Sequence, residues 1–149
     1  MLPGRIFSIA RKSSLQTAPS DLKDFAARYT AAWCSQAAVR VAAFFSTNGS
    51  LSVNDGAPAV GRTAIQDTVQ SFMTAFPDLR VILDQLVIKD DRVEYHWTLV
   101  GTNSGPGGTG KPVRISGMEN WKVWSDGLIA VSEGQFDAAD YQRQLGISS

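Results

Sequence analysis

The chain has 149 residues, 44% of them hydrophobic and 19% charged, which suits one domain with a real core. Its 14 basic residues balance 14 acidic ones, so no global field recruits nucleic acid or an anionic membrane. A single cysteine, Cys34, excludes an internal disulfide, a single histidine, His96, excludes a histidine-rich metal site, and no apolar run has the length of a membrane span.

Residues 1–20 differ from the rest. Arg5, Arg11 and Lys12 precede the first acid, Asp21, and the IFSIA segment is too short for a secretory core. A polar leader or a docking arm is expected there, followed by one domain over 21–149. Ser20 is placed to cap a helix running to about Cys34, with Leu22, Phe25, Tyr29, Ala32 and Trp33 at helical spacing. A short helix is expected over Gln36 to Phe45, and Asn48-Gly49 then breaks the chain before a strand, Ser50 to Val53. A third helix, Thr63 to Phe76, carries Ile65, Val69, Phe72, Met73 and Phe76 on one face and is stopped by Pro77.

From there the apolar period switches to two. Strands are expected over Leu79 to Ile88 and Val93 to Asn103, joined by a turn at Lys89-Asp90-Asp91-Arg92. In the second of these Val93, Tyr95, Trp97 and Leu99 share one face, and Glu94, His96 and Thr98 the other. The loop Gly105 to Lys111 spells most of a phosphate-binding loop, but Pro112 replaces the magnesium-binding Ser or Thr and a strand follows instead of a helix. It reads as a flexible hairpin loop.

Val113 to Asp137 reads as a hairpin closing on Ser125-Asp126-Gly127, and Ala138 to Leu145 as a short helix ending at Gly146. A three-residue loop sets Val123 against Ile129, Trp121 against Val131 and Glu119 against Glu133. A two-residue Asp126-Gly127 turn instead sets Glu119 against Gly134 and sends Glu133 to the other face. The inward pattern of Ile129 and Val131 favours three. Two carboxyls opposed on an apolar face raise one another's pKa, which is equipment for moving protons beside a carbonyl. Asp137 reads equally as a second acid and as a helix N-cap. Tyr29, one turn before Trp33, reads either as core or as a donor lining a cavity with Trp33, Trp97, Trp121 and Gln135. Helices followed by antiparallel strands make an α+β fold with three N-terminal helices packed on one side of the sheet.

Several segments recur together in a known family. Gly61-Arg62 before an amphipathic helix, then Ala75 to Arg80 (AFPDLR), resemble the SnoaL-like polyketide cyclases of the nuclear-transport-factor-2-like superfamily. So do Asp91-Arg92-Val93, Trp97 to Thr102, Ser116 to Trp121, and Phe136-Asp137-Ala138 with Gln144-Leu145-Gly146. The resemblance implies a curved antiparallel sheet wrapped by helices into a cone open at one end, usually dimeric through the outer sheet face. It also implies cofactor-free, metal-free chemistry: an acid on the last strand takes and returns a proton in an intramolecular aldol closure, and a histidine on the neighbouring strand assists. The histidine position falls on Glu119, the acid position on Glu133 or Gly134, and Asp137 matches a frequent second acid.

The expectation is therefore a cytoplasmic acid–base enzyme of cyclase, isomerase or hydratase type acting on a small hydrophobic carbonyl compound. Glu133 would be the base or acid, Glu119 its coupled partner and Tyr29 a donor to the developing oxyanion. The competing expectation is a non-catalytic ligand-binding or dimerisation module of the same fold, since fold alone does not fix function.

Overall fold

A computed structural model describes residues 19–123 and 126–147. The leader expected over residues 1–20 lies outside them except for its last two residues, which open the first helix. So do Trp124 and Ser125 at the hairpin tip.

Four helices and six strands are formed by the described residues: α1 (Pro19–Cys34), α2 (Ala38–Ala42), β1 (Phe45–Val53), β2 (Ala59–Val60), α3 (Arg62–Ala75), β3 (Arg80–Ile88), β4 (Val93–Thr102), β5 (Pro112–Val123), β6 (Ile129–Phe136) and α4 (Ala138–Leu145). The strands build one curved, unclosed sheet in the order β2-β1-β6-β5-β4-β3. Every neighbouring pair is antiparallel except β1 with β6, which run parallel, so the sheet is mixed and not wholly antiparallel as expected. Helix α1 lies against β3, α3 against α2 and β1, and α4 against β5. None of these helices is long and apolar enough to cross a membrane.

The period-3.6 stripe of α1 is buried as its spacing dictates: Leu22, Phe25, Ala26, Tyr29, Ala32 and Trp33 all enter the core. From α3 come Ile65, Val69 and Met73, and from the sheet Val93, Tyr95, Leu99, Val113, Ile115 and Trp121. The second helix is shorter than expected at both ends. Gln36 adopts φ 63°, a left-handed conformation that separates it from α2, and Phe45 already belongs to a strand. Asn48-Gly49 does not break the chain but lies inside β1, where the pairing with β6 shifts between Phe45 and Ser50. A Cβ at Gly49 would sit 2.9 Å from the Ile129 carbonyl oxygen, so glycine is required by the approach of two backbones. At the far end Gly146 ends α4 in the left-handed conformation, as expected.

The hairpin β5–β6 carries the decisive departure. Val123 pairs with Ile129, the register of a three-residue loop. Ala130 is then an extra residue, and from Lys122↔Val131 onward the strands run in the other register. Glu119 therefore faces Gly134, and Glu133 faces Asn120. The expected Glu119–Glu133 pair does not form, because one bulged residue exchanges the two faces of β6.

Candidate active site

Glu119 stands near the middle of β5, between Tyr95 of β4 and Gly134 of β6, with its side chain turned to the helices. It is only 7% exposed. Three donors converge on its Oε1: the Tyr29 hydroxyl from α1 at 2.9 Å, the Trp121 indole Nε1 at 2.9 Å and the Ser132 hydroxyl from β6 at 2.8 Å. The local folding explains each. Trp121 is two residues along the same strand face, Ser132 is the cross-strand partner of Trp121, and Tyr29 is on the buried stripe of α1.

A tight aromatic cluster fixes this arrangement. Tyr95 stacks on Trp121 at 4.9 Å, and Tyr29 meets both edge-on, at 5.3 Å and 5.2 Å. The Tyr95 hydroxyl is engaged with Thr30. Oε2 receives none of the three hydrogen bonds, and Glu119 forms part of the wall of a cavity of about 60 Å³. Trp33, Leu51, Val53, Phe72, Trp97, Leu99, Ile115, Gly134, Gln135 and Phe136 complete that wall. Among the described residues Glu119 is the one ionisable group in the lining.

Burial pushes the Glu119 carboxyl above its usual range, and the hydrogen bonds from Trp121, Ser132 and Tyr29 only partly oppose it. The Tyr29 hydroxyl is raised well above its ordinary value, first by burial and then by the neighbouring Glu119 charge, so it remains a donor. No arginine neutralises Glu119 among the described ion pairs; Arg62 donates to the Phe45 carbonyl. No cluster of three or more His, Cys, Asp or Glu suited to a metal ion exists among the described residues.

The other expected residues divide. Trp33 and Trp97 line the cavity as expected, and the indole Nε1 of Trp97 is buried without a hydrogen-bond partner. Gln135 is exposed at the rim, bordering both this cavity and an open groove that contains His96 and Met118. Trp121 is fully buried behind Glu119 and does not line the cavity, so it supports the carboxyl instead of touching a ligand. Tyr29 likewise spends its hydrogen on Glu119 and is not part of the wall. Glu133 is exposed on the opposite face of the sheet. Asp137 accepts from the Asp140 backbone N–H at 3.0 Å and is the N-cap of α4. His96, on the outer face as expected, contacts Glu94 at 3.2 Å.

Ser132 was not expected at the site. Its signal was the pairing of Ser132 with the inward Trp121, which only the bulged register reveals. Phe72 was recognised as an apolar helix position, yet it serves as cavity wall as well as core.

A family model described as SnoaL-like polyketide cyclase matches residues 23–145. A comparison with curated protein sequences finds no match. Among solved structures, a candidate SnoaL-like polyketide cyclase from Jannaschia superposes with TM-score 0.77 at 14% identity, over 91% of this chain and 99% of that one. A ketosteroid isomerase-like protein from Catenulispora acidiphila, solved with trimethylamine, gives 0.75 at 16% identity, over 89% and 96%. The epoxide hydrolase/cyclase-like enzyme SalBIII, of pyran ring formation in salinomycin, gives 0.70 at 17% identity, over 81% and 94%. At these identities the likeness is one of fold.

Proposed function

We propose that this chain, which belongs to the SnoaL-like polyketide cyclase family, is an acid–base enzyme that moves a proton on a small hydrophobic carbonyl compound, with Glu119 as the proton-carrying group. The observation that carries this reading is the carboxyl itself: buried in an apolar wall, held by three donors on one oxygen, and leaving Oε2 free of them. Ionised, Oε2 takes a proton from the carbon next to the carbonyl; protonated, it returns that proton to another carbon or to the alkoxide of a closing ring. Burial raises its pKa above the ordinary carboxylate range, which makes the carboxylate a stronger base than a solvated one. Tyr29, Trp121 and Ser132 position the carboxyl. The unpartnered indole N–H of Trp97 is the proposed donor to the carbonyl oxygen, the role first expected of Tyr29. Proton transfer of this kind calls on no cofactor.

The test is exchange. Small hydrophobic ketones are incubated with the protein in D2O and loss of the α-proton signal is followed by NMR. Exchange above the buffer rate is expected, falling by about 10²–10⁴-fold in Glu119→Gln, with Glu133→Gln and Asp137→Asn unaffected. Equal exchange by the wild type and Glu119→Gln would overturn the proposal.

A further inference from the structure

The surroundings of Glu119 contain a mismatch. Three dipoles turn their positive ends to one oxygen, the environment of an anion. Yet the wall it belongs to holds no lysine or arginine among the described residues, and no described ion pair reaches it. A buried carboxylate ordinarily has a cation beside it, because neither hydrogen bonds nor apolar contacts replace its lost hydration in full. Here the protein supplies the donors and leaves out the counter-charge.

Much of the rest of the wall is aromatic. Four aromatic rings line the cavity: Trp33 of α1, Phe72 of α3, Trp97 of β4 and Phe136 of β6. They meet in two edge-on pairs, Trp33 with Phe72 at 6.4 Å and Trp97 with Phe136 at 6.1 Å. Ring faces carry negative electrostatic potential and attract cations that have little hydration to lose, alkylated ammonium groups above all. A metal ion is the wrong guest, since one carboxyl and apolar side chains offer nothing to replace its coordinated water.

We propose that the cavity binds a compact alkylated ammonium group, a tertiary amine in its protonated form or a quaternary ammonium, with the positive charge between the aromatic rings and Glu119 Oε2. The cation completes the ion pair that the donor set on Oε1 prepares. Binding then ionises Glu119, so affinity for the cation rises with pH across the titration of that carboxyl. The titratable groups packed around it are Tyr29 from α1 and Tyr95 from β4, both raised by burial and neutral throughout, while β6 presents Ser132 and Gly134. The inference rests on the cavity being a ligand site but not on proton transfer taking place there.

Choline and 3,3-dimethylbutan-1-ol share one shape and differ in charge, which makes them the probes. Calorimetric titration of the full chain is expected to give choline an affinity at least about tenfold above the neutral alcohol. Glu119→Gln should erase that preference. In the wild type, choline affinity should increase with pH while that of the alcohol stays level, and this comparison holds even if the variant fails to fold. The proposal is overturned if the alcohol binds as well as choline to the wild type, or if neither binds at millimolar concentration. Choline preference without carbonyl α-exchange sinks the proton-transfer reading alone; α-exchange without choline preference sinks this one alone.

Discussion

At the scale of single residues, the chemistry converges on one carboxyl and the groups that hold it. Glu119 resists ionisation because burial outweighs its three hydrogen bonds, so the folded chain holds its proton more tightly than the unfolded chain does. The folded pKa lies above the ordinary 4.5, so the stabilisation linked to Glu119 is whole below about that pH and is lost as pH rises through the folded value. Glu119→Gln does not titrate. Denaturant unfolding measured from pH 4 to pH 8 should therefore show the wild type losing ground to the variant as pH rises, by about 1.4 kcal/mol for each unit of displacement. A difference that is flat with pH would show that the carboxyl is no harder to ionise in the fold than in the free chain.

At the scale of elements, β5 and β6 decide what the site contains. Their glycines make separate predictions. A Cβ at Gly117 would meet the Gln135 carbonyl oxygen at 2.4 Å and the Trp97 ring at 2.5 Å, so Gly117→Ala must push strand or indole aside. A loss of about 1–3 kcal/mol in unfolding free energy is expected, with a changed Trp97 fluorescence environment. At Gly134 the added Cβ would lie 3.4 Å from the Ser52 carbonyl oxygen and 3.7 Å from Glu119 Cγ, ordinary contacts. Gly134→Ala should fold normally and encroach only on the cavity, which thermal melting of the two variants side by side would check.

The same hairpin shows where sequence reasoning succeeded and where it stopped. The stripe of α1, the strands β3 to β5 and the Gly146 terminus were legible because each rests on local periodicity or turn chemistry. Glu119 was legible too, as the one acid on an otherwise apolar strand face. The register next to the turn was also read correctly, since Val123 pairs with Ile129. What failed was the assumption that alternation continues unbroken beyond it. Ala130 is buried beside the fully buried Ile129, and this run of neighbouring apolar residues is the trace a bulge leaves. Short apolar runs are ambiguous in register, so Glu133 was placed on the wrong face and Ser132 overlooked. The long β1 was missed for a related reason: Asn48-Gly49 carries a turn signal that its contact with β6 overrides.

At the scale of the whole molecule, the helices close one side of the sheet over the cavity and leave the other side open. That outer face carries Ile82, 42% exposed, with half-buried Val87, Val100, Met118 and Val131 across four strands. We propose that two copies associate through it. Sedimentation equilibrium should give a dimer that Ile82→Glu weakens; a monomer at the highest concentrations would dismiss the idea.

Burial of Glu119 in an apolar cavity wall raises its carboxyl above the ordinary glutamate range. Carbon-13 NMR of protein labelled at the glutamate side-chain carboxyl, with Glu119 assigned by its disappearance in Glu119→Gln, measures this directly. The account predicts that one glutamate titrates clearly above 4.5, and that this resonance is the one lost in the variant. Titration of Glu119 at or below the ordinary glutamate value would contradict it.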